Sequence, residues 1–300
     1  MGTAMTSLTT AARNVAADRA TRSGGDLHAA RVTRYGLRLL IGDVRGKGPR
    51  AAAGAAALLA AFDAAAGEAP TLAALADALE TAPGWGDTKG LGIPVQADVA
   101  GDAAGAGRAW AMSDGDTGRA GSGRSAAGDR AGAGTGDSAG AGDSGEHFAS
   151  VVLAQIPADG ATVRLLNLGH PAPLLLGPRT VRRLEPRRRG LPLGLRALSP
   201  GPAATETLPL PVGATLLLLT DGVTEARDAR GAFYDPAARL ARFGGAAPEE
   251  LLDHLLRDVR WHVGGPPSDD MALLAVRRSP SPHRPVRACD RPPSRVLATP

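Results

Sequence analysis

A long stretch of small and polar residues, at positions 83–146, limits how this chain can fold more than any other feature of its sequence. The stretch is built mainly from Gly, Ala, Asp and Ser, and it contains 18 of the 40 glycines. Its large apolar side chains are too sparse to offset the conformational entropy that ordering would cost. We therefore predict a disordered insertion here, which leaves a folded part of about 200 residues.

The sequence before the insertion predicts one strand followed by two helices. Apolar residues alternate over positions 37–41, which predicts a half-buried strand that ends at Gly42 and Asp43. Residues 51–66 contain no proline and place leucines and a phenylalanine at helical spacing, so they predict a helix. A second helix is predicted directly after Pro70.

The sequence after the insertion predicts several strands and one amphipathic helix. Apolar runs at 148–156, 162–168, 215–219 and 271–276 are bounded by turn residues, as strands are. Residues 248–261 carry leucines along one helical face. The strands after the insertion are needed to complete a sheet with the strand before it, so we expect one domain of the α+β class.

These patterns divide the chain into three parts. We predict a short N-terminal segment at 1–22, a domain at 23–278 that the insertion at 83–146 interrupts, and a disordered tail at 279–300. The tail is rich in proline and arginine.

Composition excludes several classes of protein. Aromatic residues make up 3% of the chain, which argues against a protein that stacks nucleic-acid bases on aromatic rings. The single cysteine, Cys289, allows no internal disulfide and fits a reducing compartment. The apolar stretch at 51–62 is too short and too rich in alanine to span a bilayer. We expect a cytoplasmic protein without nucleic-acid or membrane partners.

Four acidic positions share one local pattern, because each lies beside an apolar strand and next to glycine or a turn: Asp26, Asp43, Asp221 and Asp269. Each acid alone is most simply explained as a turn residue. Strand ends of one sheet can nevertheless bring distant side chains together, and converging carboxylates stay ionised only when cations neutralise them. Oxygen ligands without clustered Cys or His indicate Mg²⁺ or Mn²⁺. Two such ions could clamp a phosphoryl group, which predicts a metal-assisted phosphohydrolase.

Six sequence blocks resemble, in order, those of the metal-dependent serine/threonine protein phosphatases of type 2C, in the bacterial SpoIIE-like branch. The blocks are Ser-Gly-Gly-Asp at 23–26, Ile-Gly-Asp-Val-Arg-Gly-Lys-Gly at 41–48, Asn-Leu-Gly-His-Pro-Ala-Pro-Leu at 167–174, Leu-Pro-Leu-Gly-Leu at 191–195, Leu-Thr-Asp-Gly-Val-Thr-Glu-Ala at 219–226 and Ser-Asp-Asp-Met at 268–271. Any one block would be a weak signal, whereas six in order along the chain are a strong one.

The resemblance implies a four-layer α/β/β/α sandwich of two antiparallel sheets, with two Mn²⁺ or Mg²⁺ ions between them. It implies that Asp43 bridges both ions and that the backbone carbonyl of Val44 binds one of them. By the same resemblance Asp221 and Asp269 are ligands of one ion, and Asp26 belongs to the second site. Asp43 and Asp221 are the expected catalytic residues. The implied reaction is attack of a metal-bridging hydroxide on phosphoserine or phosphothreonine, without a covalent phosphoenzyme.

Three functions remain open from the sequence. The first is a Mn²⁺- or Mg²⁺-dependent phosphatase that acts on a phosphorylated protein, which by resemblance could be an anti-sigma-factor antagonist. The second is a phosphatase-like binding module with weakened catalysis. It arises because Leu-His-Ala-Ala follows Asp26 where the family usually has an aromatic residue and a second acid. The third is a hydrolase of a small phosphorylated metabolite.

Other features of the sequence have simpler explanations. The glycines at 42–48 do not form a phosphate-binding loop, since Gly48 follows Lys47 in place of Ser or Thr. His170, between two strands and before proline, is more simply a turn residue than a proton donor. Lys47 and Arg45 could meet a phosphate or form a solvated turn. Residues 187–189, three consecutive arginines, usually form a solvated face, with a docking patch for an acidic partner as the alternative.

Overall fold

Two antiparallel sheets of five strands each form the centre of the part of the chain that the computed structural model describes, namely residues 6–16, 24–83, 85, 147–199, 201 and 203–280. The strands are β1 (Thr6–Val15), β2 (Asp26–Thr33), β3 (Gly36–Val44), β4 (Ala149–Ile156), β5 (Thr162–Leu168), β6 (Leu174–Leu176), β7 (Val181–Arg183), β8 (Glu206–Pro209), β9 (Thr215–Leu219) and β10 (Met271–Pro280). The helices in these ranges are α1 (Pro49–Ala65), α2 (Leu72–Glu80), α3 (Asp221–Thr224), α4 (Pro236–Leu240) and α5 (Pro248–Val263).

The first sheet combines strands from both sides of the predicted insertion, in the order β2-β3-β4-β5-β8. β3 precedes the insertion and β4 follows it, and the two strands pair from Leu37 opposite Ile156 to Val44 opposite Ala149. The two flanks of the insertion therefore build one sheet.

The second sheet has the order β1-β10-β9-β6-β7. β1 pairs with β10 from Thr6 opposite Pro280 to Val15 opposite Met271. The sequence predicts that residues 1–22 form a segment before the domain, whereas the structure makes residues 6–15 an edge strand of it. The sequence of β1 lacks apolar alternation, and backbone hydrogen bonds to a distant strand stabilise it.

Alternation along β3 distributes its side chains between two cores. Leu40 packs with residues of α1 and α2, whereas Leu39 and Ile41 pack against the second sheet. A third core lies between the second sheet and α5, where Leu252 meets Leu273. Burying one such side chain stabilises the fold by about 1.5–3 kcal/mol. The resulting order of helix, sheet, sheet and helix confirms the predicted α+β class and its four-layer α/β/β/α sandwich.

The helices begin and end where local sequence signals place them. α1 begins with Pro49 in its first turn, directly after Gly48 with φ 81°. The Thr71 hydroxyl accepts a hydrogen bond of 3.0 Å from the Ala74 N–H and caps α2. α5 ends at Gly264, which adopts the left-handed conformation with φ 72°. No helix within the described ranges is long and apolar enough to cross a membrane.

The predicted insertion at 83–146 lies outside the described residues except at Pro83 and Trp85. Trp85 is 5% exposed and packs against α1, where a Cβ on Gly54 would lie 3.3 Å from its ring. The core under α1 therefore includes a residue that composition assigns to the insertion. Of the predicted tail, residues 279 and 280 belong to β10, and residues 281–300 lie outside the described residues.

Trp85→Ala should lower the free energy of unfolding by about 3 kcal/mol, because it empties a large volume beneath α1. Urea unfolding followed by circular dichroism measures the loss. Trp110→Ala, in the low-complexity part of the insertion, is the matched control and should change stability by less than about 0.5 kcal/mol. Equal losses of unfolding free energy in the two variants would contradict the conclusion that Trp85 belongs to the core and Trp110 to the insertion.

Candidate metal centre

The four acids predicted as metal ligands line one cavity of about 660 Å³. Asp26 begins β2 and Asp43 lies near the end of β3, both in the first sheet. Asp221 begins α3, two residues after the end of β9, and Asp269 lies two residues before β10, both at the second sheet. These strands begin or end at the same end of the sandwich. The fold thereby brings together acids that are far apart in the sequence.

Asp26 and Asp43 form the innermost pair of acids. They lie directly opposite each other in the antiparallel pairing of β2 with β3. The Val44 N–H donates a 3.1 Å hydrogen bond to the Gly25 carbonyl and closes the strand pair at this end. The residues after Asp26 leave the cavity, since Leu27 is buried in the core and His28 Nδ1 lies 2.9 Å from Asn14 Oδ1.

Thr220 connects this pair to the second sheet, a role that no sequence motif indicates. Its buried hydroxyl donates a 2.7 Å hydrogen bond to Asp26 Oδ2 and accepts one of 2.9 Å from the Ala272 N–H. A threonine at the end of an apolar strand was the available signal. Its partner is 194 positions away in the sequence, so local pattern could not identify the contact.

Thr220→Val should lower the free energy of unfolding by about 1–3 kcal/mol, because it leaves the Ala272 N–H unsatisfied in a buried position. It should also weaken Mn²⁺ binding about tenfold, since Asp26 loses the donor that orients it. Thr220→Ser keeps the hydroxyl and is the matched control. Chemical unfolding and calorimetric Mn²⁺ titration measure both effects. Equal Mn²⁺ affinity in the two variants would contradict the orienting role of Thr220.

Burial and mutual repulsion make this cavity unfavourable for carboxylates without a cation. Burial, opposed by the Thr220 hydrogen bond and reinforced by the charges of Asp221, Asp270 and Asp269, raises the pKa of Asp26 to about 7. Burial, followed by the charge of Asp26, raises the pKa of Asp43 to about 8. Burial also raises the pKa of Asp221. A bound cation would reverse these shifts, because it favours the ionised carboxylates.

Glycines allow the backbone to approach the acids closely. A Cβ on Gly25 would overlap the Val44 carbonyl oxygen and lie 2.6 Å from Asp43 Oδ1. A Cβ on Gly222 would overlap the Asp270 carbonyl oxygen, and one on Gly24 would overlap the Asp270 carboxylate. A side chain at Gly24 or Gly25 would occupy space beside a carboxylate, and one at Gly222 would clash with the backbone just before β10. The Val44 carbonyl oxygen, predicted as a metal ligand, is therefore left uncovered because Gly25 has no side chain.

The donor set fits a hard divalent cation, since the acids and the adjacent carbonyl offer only oxygen. Within the described ranges, no three Asp, Glu, His or Cys side chains converge closely enough to form a ready-made metal cage. Asp26 and Asp43 face each other directly. Asp269, about half exposed, lies 3.2 Å from Lys47 Nζ. The four acids therefore share a cavity while Asp269 forms an ion pair at its mouth.

His170 belongs to a hydrogen-bonded turn at the cavity wall. Asn167 accepts a 3.0 Å hydrogen bond from the His170 N–H and donates one of 2.9 Å to its carbonyl. The His170 Nδ1 lies 2.8 Å from the Ser150 hydroxyl, and burial lowers the pKa of the imidazole to about 4. A ring that is neutral at pH 7 and held by its own turn is poorly suited to donate a proton.

The family model of Stage II sporulation protein E (SpoIIE) matches residues 33–83 and 131–279. The chain belongs to the SpoIIE family. This confirms the resemblance to the SpoIIE-like branch of the type 2C phosphatases that the six sequence blocks indicated. The match leaves out residues 84–130, most of the predicted insertion. No curated protein sequence matches the chain.

Solved structures of SpoIIE-like and other type 2C phosphatases share the fold. The RsbU and RsbW domains of Rv1364c from Mycobacterium tuberculosis superpose with a TM-score of 0.60 at 21% identity, over 93% of this chain and 64% of that one. The PP2C domain and a regulatory fragment of SpoIIE from Bacillus subtilis give 0.58 at 14%, over 91% and 64%. The PstP catalytic domain, in complex with two manganese ions, gives 0.53 at 12%, over 91% and 98%. The chain thus spans less than two thirds of the length of the first two.

Proposed function

We propose that this protein is a Mn²⁺- or Mg²⁺-dependent phosphatase that hydrolyses phosphoserine or phosphothreonine in a protein. The observation that carries this proposal is the shared cavity of Asp26, Asp43, Asp221 and Asp269. Membership of the SpoIIE family supports the same reaction class. The manganese ions of the PstP structure, a protein of the same fold, support the choice of metal.

Two ions would be held by the acids on the two sheets. Asp43 would bridge both ions, with the Val44 carbonyl on one of them. Asp221 and Asp269 would bind one ion from the second sheet, and Asp26 would belong to the other site, directly or through water. When bound, such ions lower the pKa of a water and neutralise the charge of the phosphoryl group.

The chain's own residues orient the site. Thr220 directs one oxygen of Asp26, and the register of β2 with β3 places Asp26 opposite Asp43. Gly24 and Gly25 keep side chains away from the space beside the carboxylates, and Gly222 allows close approach to the Asp270 backbone carbonyl. With the ions bound, this arrangement would suit in-line displacement on a phosphate ester, with Asp43 and Asp221 as the proposed catalytic residues.

The proposed substrate is a phosphorylated regulatory protein, such as an anti-sigma-factor antagonist. The similarity to the RsbU and RsbW domains of Rv1364c supports a regulatory partner.

Mn²⁺ titration of metal-stripped protein tests this function. We expect saturable, Mn²⁺-dependent hydrolysis of phosphoserine and phosphothreonine peptides and of p-nitrophenyl phosphate. Mn²⁺ binding without turnover of any phosphopeptide would favour the binding module instead. Hydrolysis confined to small phosphorylated metabolites would replace the protein substrate with a metabolite.

A further inference from the structure

The mouth of the acidic cavity carries basic side chains. Arg45 and Lys47 line it from the loop after β3, and Arg183 and Arg189 line it from β7 and the segment that follows. The acids at the cavity floor would repel a phosphate or a carboxylate that approaches it. Positive charge at the mouth would offset this repulsion where a substrate enters.

Residues 182–189, which we name the arginine segment, hold most of this charge. The segment contains five arginines and one glutamate, so its net charge of +4 equals the formal net charge of the whole chain. All six charged side chains are exposed. Arg183 and Arg189 reach the cavity, whereas Arg182, Arg187 and Arg188 lie outside it.

The backbone of the arginine segment is fixed although its charges face solvent. Leu184 is buried, and its N–H donates a 2.8 Å hydrogen bond to the Pro173 carbonyl. The Arg187 N–H donates to the Glu206 carboxylate. The Gly190 N–H, directly after the segment, donates a 3.1 Å hydrogen bond to the Asn167 carbonyl. A ligand would therefore bind a charged surface whose backbone is already ordered.

The ion pairs of the segment are easily exchanged for contacts with a ligand. Arg183 pairs with Asp235, and Arg189 pairs with Glu185 at 2.9 Å, and all four side chains are at least 41% exposed. Exposed ion pairs of this kind contribute little to stability. The side chains of Arg182 and Arg188 have no hydrogen-bond or ion-pair partner within the described ranges.

We infer that the arginine segment binds acidic residues that flank the phosphorylated residue of the substrate, an inference that rests on the proposed function. An extended peptide advances about 3.4 Å per residue. A peptide with its phosphate in the cavity therefore places neighbouring residues, rather than the phosphate, over the arginines outside the cavity. The segment thus selects acidic protein segments as substrates.

Two phosphoserine peptides test the inference, one with Asp and Glu on both sides and one with Asn and Gln at the same positions. The variants are Arg183→Gln with Arg189→Gln, and Arg187→Gln with Arg188→Gln. The matched control, Arg257→Gln with Arg260→Gln on α5, removes the same charge at exposed positions that do not line the cavity. Glutamine is a suitable replacement in the arginine segment and on α5, because it is uncharged and is also a good helix former.

We expect the unmodified protein to prefer the acidic peptide by about tenfold in kcat/KM, the effect of two exposed contacts of about 0.7 kcal/mol each. The preference should fall to about twofold or less in Arg187→Gln with Arg188→Gln and persist in the control, whereas Arg183→Gln with Arg189→Gln should lower kcat/KM for both peptides. The preference should also shrink as salt is raised. Equal kcat/KM for the two peptides in the unmodified protein would overturn the inference while leaving the phosphatase function intact.

Binding of the unphosphorylated acidic peptide, followed by fluorescence anisotropy, separates the inference from the function. If no substrate is hydrolysed, the proposed function fails. The role of the arginine segment would still be supported if the peptide binds in a salt-sensitive way, and if this binding is lost in the segment variants and kept in the control. Equal binding by all variants would overturn it, as would tighter binding to an RNA oligonucleotide of matched charge.

Discussion

Asp43→Asn should lower Mn²⁺-dependent turnover of a phosphopeptide by about 10²–10³-fold or more. The substitution keeps the size of the side chain but removes the charge at the position proposed to bridge both ions. Asp221→Asn should have an effect of similar size, because the second sheet then loses a ligand. Initial rates on a phosphoserine peptide and on p-nitrophenyl phosphate, at saturating Mn²⁺, measure the loss.

The matched control for both variants is Asp253→Asn on α5. Asp253 is exposed and pairs with Arg13 at 2.8 Å, and it does not line the cavity. Its substitution should leave turnover within about twofold of the unmodified protein. Full activity in purified, folded Asp43→Asn protein would rule out the proposed centre.

The metal-free protein should lose about 2 kcal/mol of unfolding free energy from about pH 7 to about pH 9. The pKa of Asp26 is raised to about 7 and that of Asp43 to about 8 in the folded state, above the value of 3.8 for an ordinary aspartate. The folded state therefore binds more protons than the unfolded state in this range. A raised aspartate pKa stabilises the fold at low pH, and this contribution is lost as pH rises through the folded pKa.

The contribution of His170 to the free energy of unfolding has the opposite pH dependence. It changes at lower pH and does not affect the range from about pH 7 to about pH 9. Burial lowers its pKa from 6.5 to about 4, so its contribution is lost only as pH falls below about 6.5. Urea unfolding in EDTA at several pH values measures the loss assigned to the acids. Added Mn²⁺ should offset it, because a ligand of the folded state stabilises that state.

Asp43→Asn provides the decisive comparison. The metal-free variant should be more stable than the unmodified protein at about pH 9, and its stability should depend less on pH, since the acid with the higher pKa is gone. The same substitution would then remove activity and stabilise the metal-free fold. A free energy of unfolding that stays constant or rises from pH 7 to pH 9 in the unmodified protein would contradict the electrostatics of the cavity.

Local pattern predicted the elements that bury their own apolar residues. β3, β4, β5, β9, β10, α1 and α5 coincide with apolar runs or helical periodicity in the sequence. Local pattern missed β1, β2 and β8, which lie at sheet edges and carry few buried side chains. β1 pairs with β10 and β8 with β5, strands far apart in the sequence, whereas β2 pairs with the adjacent β3 in a hairpin. In all three cases backbone pairing holds the strand, and backbone pairing leaves no periodic signal.

The motifs of the sequence by themselves indicated the family and, through that resemblance, the two-sheet sandwich and the candidate acids, because six blocks occur in order along the chain. Only the tertiary structure decided that Asp26 faces Asp43 and that Thr220 joins Asp26 to the second sheet. It also decided that Trp85 belongs to the core and that the arginine segment borders the acidic cavity. These contacts depend on strand register and sheet packing, which join residues that no local pattern relates.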